Sequence, residues 1–139
     1  MKMKHSHSEI WTHLVLSTKN QERIFGQSEI NAINLALEEF VANHKDQAIT
    51  YAVLAEHIHI LLKLPENMSL NGLVSHLQTF IKSKMRLDEV VKYDFEWEKN
   101  FHAHSVSLNR LSAEKSMILR QNLKHREITF EEELKFLGL

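Results

Sequence analysis

The chain has 139 residues, 43% of them hydrophobic and 25% charged, which suits one globular domain and excludes intrinsic disorder as the main state. Its 17 Lys and Arg against 18 Asp and Glu leave a net charge of -1. That excludes a uniformly basic nucleic-acid binder but not a local basic patch. No cysteine is present, so a disulfide scaffold, a thiolate metal site and a cysteine nucleophile are excluded, and a reducing cytoplasm is the expected setting.

Residues 1–8 read as a polar tail without the apolar stretch of a signal peptide. Ile10 to Ser17 is rich in β-branched, aromatic and aliphatic residues and reads as a strand. A polar loop covers Thr18 to Arg23. Gly26 and Ser28 then open a helix, with Ser28 as the expected N-cap. Ile30, Ile33, Leu37, Phe40 and Val41 supply its apolar stripe.

Ala48 to Leu64 is too long for one strand and is split into two near Ala55-Glu56. Ser69 caps a second helix, whose stripe is Leu70, Leu73, Val74, Leu77, Phe80, Ile81 and Met85. Lys82, Lys84 and Arg86 crowd its last turns, where cations complement the helix dipole and can also hold phosphate. Asp88 to Asn100 is a charged excursion. Phe101 to Ser107 alternates as a short strand. Ser112 is expected to cap a helix to about Arg126, and Thr129 a last short one over Phe130 to Leu137. With only 3 Gly and 1 Pro, loops are few. No apolar run approaches the ~20 residues of a membrane span. The order predicts an α+β, ferredoxin-like βαββαβ domain over residues 1–139: an antiparallel sheet, helices on one face, and C-terminal helices.

The 10 histidines are the chemical signal. His57-Ile58-His59 sits in a strand, where residues i and i+2 share a face. Two imidazoles so placed can converge on one divalent ion; the alternative is two hydrogen-bonded or exposed histidines. Glu56 is adjacent but faces the other way if the strand is regular. His102 and His104 repeat the spacing on another strand. Candidate phosphate contacts are Lys19, Arg23, Lys82, Lys84, Arg86, Arg120 and Lys124, with Arg110, Lys115 and Arg126 as further cations. Phe101 and Trp97 are candidates for stacking on unpaired bases, with core packing the alternative for Trp97.

Four segments in order resemble the HUH-superfamily single-tyrosine transposases, including those associated with repetitive extragenic palindromes. They are Trp11-Thr12-His13-Leu14-Val15-Leu16-Ser17-Thr18-Lys19-Asn20, the box His57-Ile58-His59, the run Trp97 to Ser107, and Gln121 through His125 followed by Thr129-Phe130-Glu131-Glu132-Glu133. The resemblance spans Trp11 to Leu137. It implies binding of single-stranded, hairpin-forming DNA and action as a homodimer. It also implies Mg²⁺ or Mn²⁺ held by His57, His59 and Gln121, and a tyrosine nucleophile one helical turn before that glutamine. That position is Met117, and a thioether cannot form the phosphodiester link. Tyr51 and Tyr93 are the only tyrosines: Tyr51 lies in the strand before the histidines, where core packing is its expected role, and Tyr93 lies in the charged excursion and matches no family nucleophile; Ser116 is one residue off and points about 100° around the helix. The expectation is a transposase-like protein of DNA transposition that keeps metal ligands and has lost tyrosine strand transfer. Alternatives are a metal-dependent nuclease in which metal-bound water replaces tyrosine, and a non-catalytic DNA-binding or repressor domain.

Overall fold

The computed structural model describes residues 9–43 and 49–121. Lys124, Arg126, the Thr129 cap, the last helix and the N-terminal tail lie outside the described residues.

Four strands form one antiparallel sheet in the order β2-β3-β1-β4: β1 Trp11–Ser17, β2 Thr50–Val53, β3 His57–Lys63 and β4 His102–Val106. Two helices, α1 Gln27–Asn43 and α2 Leu70–Leu87, pack on one face. Strand periodicity decides which residues meet them. Leu14 and Leu16 of β1 and Ile58, Ile60 and Leu62 of β3 point into this layer and join Ile33, Leu37, Phe40, Leu73, Leu77 and Ile81. This is the ferredoxin-like βαββαβ arrangement that the order of elements predicts.

A third helix, α3 Leu111–Leu119, lies against the other face. Its Ile118 is fully buried with Leu61 and Val106, flanked by Trp11, Ala52 and Leu111. The sheet is therefore covered on both sides, by a large apolar core on one and a small one on the other.

Two expected caps are corrected. Ser28 lies inside α1, which begins at Gln27. The start is set by Gly26, whose carbonyl accepts from Ile30 N at 2.9 Å and whose N–H donates to Glu29 Oε1 at 2.8 Å. This glutamate closure leaves no cap role for the Ser28 hydroxyl, which donates to Glu29 instead. Ser112 likewise lies inside α3, because a tight turn over Leu108–Arg110 runs straight into the helix and moves the N-cap position to Arg110. Ser69 does cap α2, accepting from Gly72 N at 3.0 Å. Ile10 stands just outside β1.

The long apolar run breaks at Leu54–Glu56, as expected, without Gly, Asn or Pro. Leu54 N donates to His57 O at 2.9 Å. The turn is clamped from outside: Thr18 N donates to Glu56 O at 2.9 Å, and Phe25 N to Ala55 O at 3.0 Å. The 88–100 excursion returns through a bridge between Thr18 and Trp97.

Candidate metal centre

The face under α3 carries the histidines. Across β1 and β3, Ser17 pairs with His57, Val15 with His59 and His13 with Leu61; across β1 and β4, His13 pairs with His104 and Val15 with His102. Paired residues share a face, so His13, His57, His59, His102 and His104 all lie on the α3 side. His13, His57 and His59 have no exposed surface.

They form a string of contacts. Glu56 Oε1 lies 2.9 Å from His57 Nδ1, and His57 Nε2 lies 3.1 Å from His59 Nε2. His59 Nδ1 is 2.9 Å from His13 Nε2, and His13 Nδ1 is 2.7 Å from Glu114 Oε2. The same carboxylate oxygen is 3.3 Å from His104 Nε2, and His104 Nδ1 is 2.9 Å from His102 Nε2. Carboxylates stand at both ends of the central three rings.

The expectation that Glu56 faces away from the histidines is corrected. β3 begins at His57, so Glu56 belongs to the turn and escapes strand alternation. Thr18 holds its backbone, and its buried carboxylate turns to His57 Nδ1 on one oxygen and Arg23 Nε, at 3.3 Å, on the other.

The tautomers follow from the ends. A carboxylate accepts, so His57 donates Nδ1–H to Glu56 and leaves a lone pair on Nε2. From the other end, with neutral rings His13 donates Nδ1–H to Glu114 and His59 donates Nδ1–H to His13, which turns His59 Nε2 toward His57. The two Nε2 atoms face each other at 3.1 Å. Two ligand nitrogens on one metal ion, each at about 2.0–2.2 Å, lie about 3.0–3.4 Å apart. The pair thus has the separation of two ligands, and Glu56 and His13 are the outer partners that orient the rings.

Gln121 follows α3 and is 1% exposed. Its Nε2 donates to Met117 O at 3.2 Å, while its Oε1 is buried with no hydrogen-bond partner among the described residues. A buried amide oxygen without a donor is costly, and a cation satisfies it. Two imidazole nitrogens and a buried amide oxygen are donor types that a divalent ion takes. Met117 itself is half-buried on α3, one turn before Gln121.

The candidate cations divide between layers. Lys82, Lys84 and Arg86 lie on α2, across the sheet from the histidines. Lys84 pairs with Glu39 at 2.7 Å, and Lys82 stands 5.1 Å over the Phe95 ring. Lys19 pairs with Glu96 at 2.9 Å, an exposed contact that raises the lysine and lowers the glutamate from their usual values. Arg23 reaches the histidine string through Glu56. Arg120 is exposed immediately after α3, and Arg86 is exposed near the end of α2. Trp97 packs edge-on to Phe25 and Phe95 and donates to Gln78 O at 3.3 Å, the core role. Phe101 also packs on the main core.

Sequence reading missed His13 and Glu114. Strand parity was the available signal for His13: Leu14 and Leu16 face the apolar layer, which sends His13 to the other side. Glu114 joins only through the docking of α3.

Burial, then the nearby His104 and His13, hold the His102 imidazole below its usual 6.5. Between that lowered value and about 6.5 the unfolded chain binds more protons than the folded one, so stability falls as pH drops through this window and is unaffected above it. A proton titration of His102 followed by NMR should give a midpoint below 6.5; one at or above 6.5 would contradict the burial argument.

The family described as "Transposase IS200 like" matches residues 6–121. No curated protein matches the chain. Among solved structures, a candidate transposase from Deinococcus radiodurans is similar over 87% of this chain and 97% of its own, at 14% identity and a TM-score of 0.62. A REP-associated tyrosine transposase bound to a REP hairpin is similar over 92% of this chain and 76% of its own, at 16% identity and a TM-score of 0.61. Among the described residues no helix is long and apolar enough to cross a membrane.

Proposed function

Because this chain belongs to the IS200-like transposase family, we propose that it binds single-stranded DNA folded as a hairpin, at a divalent-metal site made of His57, His59 and Gln121, and that it no longer cuts by a tyrosine. The observation that carries the reading is the 3.1 Å separation of two Nε2 atoms whose rings are held from behind. The orphaned Gln121 oxygen supports the third ligand. The hairpin in the similar REP-associated transposase supports the class of DNA.

Mg²⁺ or Mn²⁺ bound there would neutralise charge on a phosphoryl oxygen. The protein's own part is to hold two imidazoles in one tautomer, shield them from water, and present cations to the backbone. Arg23 and Arg120 are the phosphate contacts best connected to the histidine face, through Glu56 and through the end of α3. Lys19 lies in the loop beside Arg23, while Lys82, Lys84 and Arg86 would contact strands that pass round to the α2 side. The chain works as a homodimer in this reading, with edge strands β2 and β4 available for pairing.

Mn²⁺ calorimetry and hairpin anisotropy test the proposal together. The double change His57→Ala and His59→Ala should abolish the Mn²⁺ heat and weaken hairpin binding in Mn²⁺ more than in chelator. Unaltered Mn²⁺ heats would remove the site assignment. Sedimentation at micromolar concentration should show a dimer; a single ~16 kDa species would remove that part.

A further inference from the structure

The three central rings pose a counting problem. Four contacts run from Glu56 through His57, His59 and His13 to Glu114. Three neutral imidazoles carry three ring protons, one short of what four hydrogen bonds need. One added cation completes the string, and it can enter at either of two places. One is between His57 and His59. The other is at the far end, where His13 Nδ1 and His104 Nε2 lie 2.7 and 3.3 Å from Glu114 Oε2 and all three atoms fall within 4.8 Å of one another.

We propose that His13, His104 and Glu114 form a second metal site, of the Zn²⁺ class, that clasps α3 to β1 and β4 and competes with the His57–His59 position for a single ion. The two spacings from the carboxylate oxygen, 2.7 and 3.3 Å, lie within about 0.3 Å of the ~3.0–3.4 Å between neighbouring ligand atoms on such an ion. Two imidazoles and a carboxylate suit Zn²⁺ and Co²⁺ better than Mg²⁺, and the carboxylate adds a negative charge that the His57, His59 and Gln121 set lacks. His104 is oriented from behind by His102, 2.9 Å from its Nδ1, which frees Nε2 to bind.

Competition follows from the protons. An ion on His13 Nδ1 puts that ring's proton on Nε2, so His13 donates to His59 Nδ1. His59 then carries its proton on Nε2 and donates it to His57 Nε2, while His57 still donates to Glu56. Every nitrogen in the string is satisfied, and His59 has no lone pair left for an ion beside His57. An ion between His57 and His59 takes the place of their hydrogen bond, leaves His57 donating to Glu56, turns the His13–His59 bond round so that His59 donates, and leaves a proton on His13 Nδ1. Filling both places would point the His59 Nδ1–H and the His13 Nε2–H at each other across 2.9 Å, with no acceptor between them. This competition rests on the His57–His59 reading; the clasp site does not.

The test uses the whole chain stripped of metal with chelator, titrated with Zn²⁺ by calorimetry and with Co²⁺ by visible absorption. One ion per chain is expected. His104→Ala and Glu114→Gln should each weaken Zn²⁺ by about tenfold or more. His57→Ala should leave Zn²⁺ at one per chain. Pre-bound Zn²⁺ should suppress the Mn²⁺ heat, and His104→Ala should relieve that suppression. If His104→Ala fails to fold, Glu114→Gln reports on the same site, since Glu114 is partly exposed. Zn²⁺ affinity unchanged in these variants overturns the clasp site. Two Zn²⁺ ions per wild-type chain, or Zn²⁺ and Mn²⁺ bound together, overturns the competition. Loss of Mn²⁺ binding is read separately, with the His57 and His59 variants, and bears only on the proposed function.

Discussion

Met117→Tyr is expected to produce a slower-migrating protein band with labelled hairpin DNA and Mn²⁺ on a denaturing gel, where the unaltered protein gives none. Met117 lies one turn before Gln121 on the same face, and the two are joined by the 3.2 Å hydrogen bond from the amide to the Met117 carbonyl. A phenol at 117 would approach a phosphate held near Gln121. Its oxygen would bond to phosphorus, and the departing 3′ oxygen would take the proton. Neither native tyrosine is placed to do this. Tyr51 pairs with Ile60 and so faces the α1–α2 layer, opposite His57 and His59. Burial, with Glu38 beside it, also raises its phenol above the usual 10.0. Tyr93 lies in the exposed excursion. Because Met117 is only half-buried, the swap should cost less than the ~1–3 kcal/mol of overpacking a tight core. An adduct formed by the unaltered chain would overturn the lost-nucleophile reading. No adduct from a folded, hairpin-binding Met117→Tyr would mean that the cleft has lost more than its nucleophile.

Ile118→Ala should free α3 while leaving the rest of the sheet intact. Ile118 is the single buried residue of α3, seated on Leu61 and Val106 apart from the main core. Truncating such a side chain costs about 2–5 kcal/mol, and here the loss falls on a nine-residue helix rather than on the whole domain. Hydrogen exchange should rise sharply over 111–119, with β1 and β3 protection little changed. Zn²⁺ and Mn²⁺ affinity should both drop, since Glu114 and Gln121 travel with the helix. Uniform destabilisation of all strands instead would show that the small core is continuous with the large one.

The elements that build the main core were legible because their apolar stripes have clean periods. Ser69 was readable as a cap for the same reason, a polar residue directly before a strong stripe. Ser28 and Ser112 misled because the same residue type also sits comfortably in a first turn, and Gly26 with Glu29 outcompeted one while the Leu108–Arg110 turn displaced the other. His57 and His59 were legible from spacing within one strand. The partners that give them chemistry were not. His13, Glu56 and Glu114 enter through strand register, a clamped turn and a docked helix, and each depends on contacts between residues far apart in the chain.

The sealed position of His57 and His59 sets an energetic condition on anything larger than an ion. With no exposed surface on either ring, a phosphodiester reaches them only in a form of the chain that has opened. The measured affinity for a strand is then the intrinsic one reduced by the fraction open, and every ~1.4 kcal/mol of opening cost is a tenfold loss. A change that weakens the cover would tighten binding to DNA phosphate even though it removes contacts from the folded protein. Association rates would then follow the opening step and level off at high strand concentration.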